Sequence, residues 1–216
     1  MATVDARHPG EGANPYALRG GEDAKRRLDL IAGVLRPSTL ALLERAGIRA
    51  GDRCLDVGCG GGHVARELAL PDPAGTLARM AACLKPGGKL VVEDIDHSGV
   101  VSEPPSPAYA RYNEVYEELI GRRGGDPRIG LKLVRLLHQA GVGGVELHIV
   151  QPAFTAGPAK HVHVITLDSI TDALQAEGMA TAAEVAALRA DMMRFGEAED
   201  TIVTFPRIVQ AWGTLT

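Results

Sequence analysis

The chain has 216 residues, 45% of them hydrophobic, and a net charge of −4. That is enough for one globular domain with a full core, or for one domain with a lid. No long basic run invites nucleic acid, no apolar run approaches membrane-spanning length, and Met1 to Gly12 hold no apolar signal core.

Residues 1–15 read as a flexible arm, with Pro9, Gly10, Gly12 and Pro15 and few apolar groups. A helix is then expected with Leu28, Ile31, Ala32 and Leu35 on one stripe, ending before Pro37. Ser38 can cap a second helix carrying Leu40, Leu43 and Ala46, and Gly47 sits where a C′ glycine belongs. Cys54, Cys59 and Cys83 are odd in number and form no C-x-x-C pair, so they read as thiols of a reducing cytoplasm, and no zinc site is expected.

The stretch from Arg53 to Leu68 organises the chain: a short apolar run, a glycine cluster, then an amphipathic helix. Glycines let a ligand lie against bare backbone, and a helix N-terminus offers unpaired N–H groups and partial positive charge. A nicotinamide site would want a later acid at the end of a second strand, and none follows. Here the acid comes earlier, as Asp56, and the run Asp56, Gly58, Gly60, Gly62 resembles motif I of the class I S-adenosylmethionine (SAM) methyltransferases. The plain alternative is a tight turn in which Asp56 satisfies loop amides. A helix with Leu77, Met80, Ala81 and Leu84 inward, the turn Lys85-Pro86-Gly87-Gly88 and a strand over Lys89–Asp96 resemble the later half of the same fold. Strands 2 to 4 of the family's sheet have no counterpart, because Leu70 runs directly into Pro71-Asp72-Pro73, and Asp72 reads as a turn residue.

Beyond Pro104, Pro105 and Pro107 a helix is expected with Tyr109, Tyr112, Tyr116 and Leu119 on one stripe, ending at Gly124-Gly125. Such a stripe reads as core or as an aromatic wall over a pocket. Asp126-Pro127 starts another helix, with Ile129, Leu133, Leu136 and Leu137 inward and Gly141 at its end, and a strand follows over Val145–Gln151. Residues 158–195 read as an insertion, with one helix opened by Thr166 or Asp168 and another by the capping box Thr181–Glu184. His161 and His163 would share a face if extended, but no further ligand is patterned beside them and no metal is expected. Ile202–Phe205 and Ile208–Trp212 are read together as the last, antiparallel strand, with Pro206 at a bend or edge.

The resemblance implies an α/β fold: a shortened Rossmann-like class I methyltransferase sheet with a helical N-terminal cover and a C-terminal helical insertion before an antiparallel last strand. Residues 16–216 then form one domain, with the cover over 16–50, the cofactor-binding core over 51–96, substrate-side helices and a strand over 97–200, and the last strand over 201–216. It implies SAM as cofactor, held by Asp56, Gly58, Cys59, Gly60 and Gly62, with Tyr16 and Arg27 touching it from the cover. Transfer of the methyl group to a small molecule would follow, with Glu93, Asp94, Tyr109 and Tyr112 on the substrate side and His97 as the candidate base. A sheet edge left open by the missing strands invites a homodimer. The alternative is a non-catalytic remnant or dimerising module with weak or no SAM binding, which the missing strands favour.

Overall fold

The computed structural model describes residues 22–55 and 72–216. The elements in chain order are α1 (Glu22–Arg45), α2 (Pro73–Ala82), β1 (Lys89–Asp96), β2 (Ser102–Glu103), α3 (Pro107–Arg122), α4 (Leu133–Gln139), β3 (Val142–Val150), β4 (Ala153–Phe154), α5 (Val162–Ala176), α6 (Ala182–Glu197), β5 (Ile202–Thr204) and β6 (Arg207–Leu215). Short 3₁₀ turns at His97–Gly99, Ile129–Lys132 and Pro158–His161 precede β2, α4 and α5.

The strands form two three-stranded sheets, β1-β6-β3 and β2-β5-β4, and every pairing among the described residues is antiparallel. This corrects the expectation of a parallel Rossmann-like sheet. β1 and β3 do run the same way, but β6 lies between them and converts two would-be parallel neighbours into two antiparallel pairs. The expected single last strand is two: β5 and β6 are separated by Phe205-Pro206 and belong to different sheets. A proline cannot donate to a ladder, so the chain changes sheets at the position where a continuous strand would lose a bond.

Alternation along β1 sorts its two faces. Leu90 and Val92 pack with Val209 and Ala211 of β6 against Leu77 of α2 and Leu133 and Leu137 of α4. On the other face, Val91 and Trp212 meet Leu42 and Ala46 of α1. Gly130 lets the 3₁₀ turn before α4 press on β1: a Cβ there would stand 2.7 Å from the Ile95 carbonyl oxygen.

α1 corrects a second expectation, because it is one helix with Pro37 inside rather than two. An interior proline costs about 3 kcal/mol and orphans the carbonyl four residues back, here that of the side-chain-free Gly33. Packing on both sides of it offsets that cost. Leu30, Ile31, Val34 and Leu35 join a cluster with Phe205 and Ile208, while Leu42 and Ala46 reach Trp212 one turn and more beyond. Ser38 is no cap; its Oγ donates to the Leu35 carbonyl at 2.7 Å. Gly47, at φ +71°, ends the helix as expected, with its N–H on the Glu44 carbonyl and that of Ile48 on Leu43, both at 2.9 Å.

A third core joins α3, α5 and α6, built from Tyr109, Tyr112, Leu119, Leu167, Leu174 and Met192. The capping box of α6 is formed on both sides. α5 begins at Val162, earlier than expected at Thr166 or Asp168. Its hydroxyl residues turn inward instead, Thr166 Oγ1 donating to the Val162 carbonyl at 2.9 Å. His163 is therefore helical, and the extended pairing with His161 does not occur.

Candidate functional site

The cavity of interest opens at the carboxyl end of β1, where α1, α3, α5 and the β5–β6 junction converge. Its volume is about 80 Å³, room for several waters. The floor is apolar, with Leu28, Ile31 and Leu35 from α1, and Phe205, Pro206 and Ile208 from the sheet-switching segment. The polar lining is Arg27, Glu93, Asp94, His97, Tyr112, Tyr116, His163 and Thr166. β1 places Glu93 and Asp94 on opposite faces, and the turn that follows it carries His97.

That turn is held rigidly. Asp96, 0% exposed, accepts from the Ser98 backbone N–H at 3.2 Å and its hydroxyl at 2.6 Å. Its other oxygen pairs with the Arg207 guanidinium at 2.6 Å, its cross-strand partner in register. The His97 backbone N–H donates to the Pro127 carbonyl at 2.9 Å. Above it, the His97 ring stacks on Tyr116 with centroids 4.3 Å apart and planes 24° from parallel.

Neither ring nitrogen of His97 has a hydrogen-bond partner, although the residue is only 2% exposed. Burial first, then the nearby His163 and Arg128, push its pKa down to about 3. The neutral ring makes no ion pair with Glu117, whose carboxylate lies 3.6 Å from Nδ1 and engages Arg128 at 2.8 Å. His163 is buried too, and its pKa falls to about 4 because desolvation outweighs its bond to the Thr204 carbonyl. A carbonyl only accepts, so the 2.8 Å contact puts the His163 proton on Nε2 and leaves Nδ1 an acceptor. The cavity thus holds two neutral imidazoles.

The acids are partly committed. Glu93 accepts from Thr39 Oγ1 at 3.0 Å and from Gln210 Nε2 at 2.5 Å, tying α1 to β6. Burial nevertheless raises its pKa above the usual carboxylate range. Asp94 accepts from the Ile95 backbone N–H at 2.7 Å. Arg27 is 5% exposed; its Nε has no hydrogen-bond partner, and among the described residues no carboxylate lies within ion-pair distance of its guanidinium.

Five residues singled out from sequence therefore meet here: Arg27, Glu93, Asp94, His97 and Tyr112. Arg27, expected to touch the cofactor from the cover, lines the same cavity as Glu93, Asp94, His97 and Tyr112. Tyr109, expected on the substrate side, stands behind the cavity wall. Its ring packs edge-on to His163 at 5.8 Å and against Phe195 at 5.3 Å, and burial lifts its hydroxyl to about 12. Asp56, Gly58, Cys59, Gly60, Gly62 and Tyr16 lie outside the described residues. Sequence reasoning missed His163 and Thr166. Their signal was a helical stripe, with His163, Thr166, Leu167, Ile170 and Leu174 at spacings of three and four.

Among the described residues no group of three or more His, Cys, Asp or Glu is placed to hold a metal ion, and no helix is long and apolar enough to cross a membrane. A scan against protein-family models finds no match, and a search of curated proteins finds none either.

Proposed function

We propose that the chain transfers a methyl group from SAM to a small molecule bound at the carboxyl end of β1. The carrying observation is the cavity itself, whose lining brings a neutral His97, with no hydrogen bond at either ring nitrogen, together with Arg27, Asp94 and Tyr112. SAM supplies an electrophilic methyl on a sulfonium, so the protein's task is mainly to position the acceptor and exclude water. The apolar floor of Leu28, Ile31, Phe205 and Ile208 does the excluding. The Asp94 carboxylate, in the lining, suits a cationic neighbour. Tyr112 and Tyr116 wall one side, and the Asp96–Ser98–Arg207 contacts fix the turn that aims His97.

An acceptor hydroxyl or acidic carbon gives up a proton as the methyl arrives. His97 is the group assigned to take it: its ring nitrogens are free of hydrogen bonds, and its pKa of about 3 makes it a weak base until the acceptor develops charge. Negative charge developing on the acceptor beside it raises its proton affinity at the moment of transfer. The resemblance supports the cofactor through residues 56–62, whose geometry lies outside the described residues.

One observation favours the second reading, a remnant of the fold. The main sheet has three strands, and among the described residues β1 and β3 are edges with one partner each. Calorimetric titration of SAM into the full chain tests the choice. Micromolar binding is expected; no heat at millimolar ligand overturns the enzymatic reading. The expected edge-to-edge homodimer is tested separately, and a monomeric mass by light scattering at micromolar protein removes it.

A further inference from the structure

We propose that Arg27 binds an oxyanion, so that the cavity's ligand is a small anionic molecule with an apolar body. The proposal rests on the methyl-transfer reading only in naming that ligand the acceptor. A buried cation without a partner costs several kcal/mol, and natural folds pair such groups or satisfy their donors. Arg27 is 95% withdrawn from solvent by the 5% figure above, lines the cavity, and leaves Nε without an acceptor.

The fold shows that it can satisfy a buried cation when nothing else must bind. The Lys160 ammonium, 1% exposed, donates to the Thr155 carbonyl at 2.9 Å and the Ala198 carbonyl at 2.6 Å. The two acids in the lining are engaged by other donors: both Glu93 oxygens by Thr39 and Gln210, and an Asp94 oxygen by its neighbour's N–H. A planar guanidinium presents a fork that matches a carboxylate or a phosphate. The same lining holds the Tyr112 and Tyr116 rings and the apolar side chains of Leu28, Ile31 and Leu35, which suit a flat apolar body.

The probes are benzoate, its uncharged isostere benzamide, and phenyl phosphate, each titrated into the full chain without SAM. Benzoate or phenyl phosphate should bind, with the stronger of the two telling carboxylate from phosphate, and benzamide should bind roughly ten- to a hundredfold more weakly. R27M should lose binding of the anion by a similar factor while its melting temperature stays level or rises, since an unpaired buried charge is removed. R27K should recover part of the affinity. Equal binding of benzoate and benzamide, anion binding unchanged in R27M, or no binding of either anion overturns the proposal. So does a lower melting temperature in R27M, which marks a structural arginine. A SAM titration of R27M completes the test: unchanged SAM affinity assigns Arg27 to the acceptor, and lost affinity overturns that assignment. If the unaltered chain binds benzoate through Arg27 but not SAM, methyl transfer fails and the oxyanion site stands.

Discussion

Two buried regions of this molecule treat polar groups in opposite ways. Where α6 runs toward β5, the buried cation is matched, although His161 Nδ1 beside Gly196 is not: Lys160 bonds two carbonyls, and the Thr201 hydroxyl shares its proton between Phe195 at 2.7 Å and Ala198 at 3.0 Å. At the carboxyl end of β1, Arg27 Nε and both nitrogens of His97 go unmatched at comparable burial. An unmade buried hydrogen bond costs about 1–3 kcal/mol. The first region therefore adds to stability, while the second detracts from it and keeps its binding groups unspent.

The sharpest test of the contrast needs no mutation. His97 and His163 are held at about 3 and about 4 against an ordinary 6.5. Below pH 6.5 the unfolded chain takes up protons that the folded chain refuses, so stability present above that pH is lost as the pH falls toward 4. The slope approaches about 1.4 kcal/mol per pH unit for each histidine. Thermal unfolding followed from pH 7 down to pH 4.5 should show it, and H97Q should remove about half of the slope. A flat profile would mean that the cavity histidines are not held neutral.

K160M should come next, taking the Lys160 donor from the Thr155 carbonyl and leaving Ala198 to Thr201 alone, and costing about 1–3 kcal/mol, read as a lowered urea midpoint. An unchanged midpoint would erase the distinction between the two regions. T181A breaks the α6 capping box, far from the cavity lining, and should cost about 1 kcal/mol with benzoate binding unaffected. R27M should be the smallest, with stability level or slightly higher. A loss comparable to that of K160M would show that both cations serve the fold.

Local chemistry was legible in the residues. The Thr181–Glu184 box, the Gly47 and Gly141 turns and the inward tyrosines of α3 all depend on neighbours within a turn or two, whereas Asp72, read as a turn residue, caps α2. What stayed hidden depends on distant partners. Pro37 reads as a helix end until Phe205, Ile208 and Trp212 supply packing on both sides of it. β6 is antiparallel, as the last strand was expected to be, but its place between β1 and β3 is one that no local pattern announces. The candidate site was half legible. The polar end of β1 marked Glu93, Asp94 and His97, but His163 hid inside an apolar helical stripe. Nothing local marks Lys160 as buried, because one of its two partners, Ala198, lies 38 residues away.

The place of β6 has a consequence for how the protein is made. β1 and β3 leave the ribosome before the strand that joins them, so each waits with bare edges until β6 arrives and slides between two preformed layers. Assembly of the main sheet is then a late, non-local event, slow by its contact order and exposed to aggregation while it waits. A translational pause or a chaperone acting before β6 emerges would reach this protein at its most vulnerable.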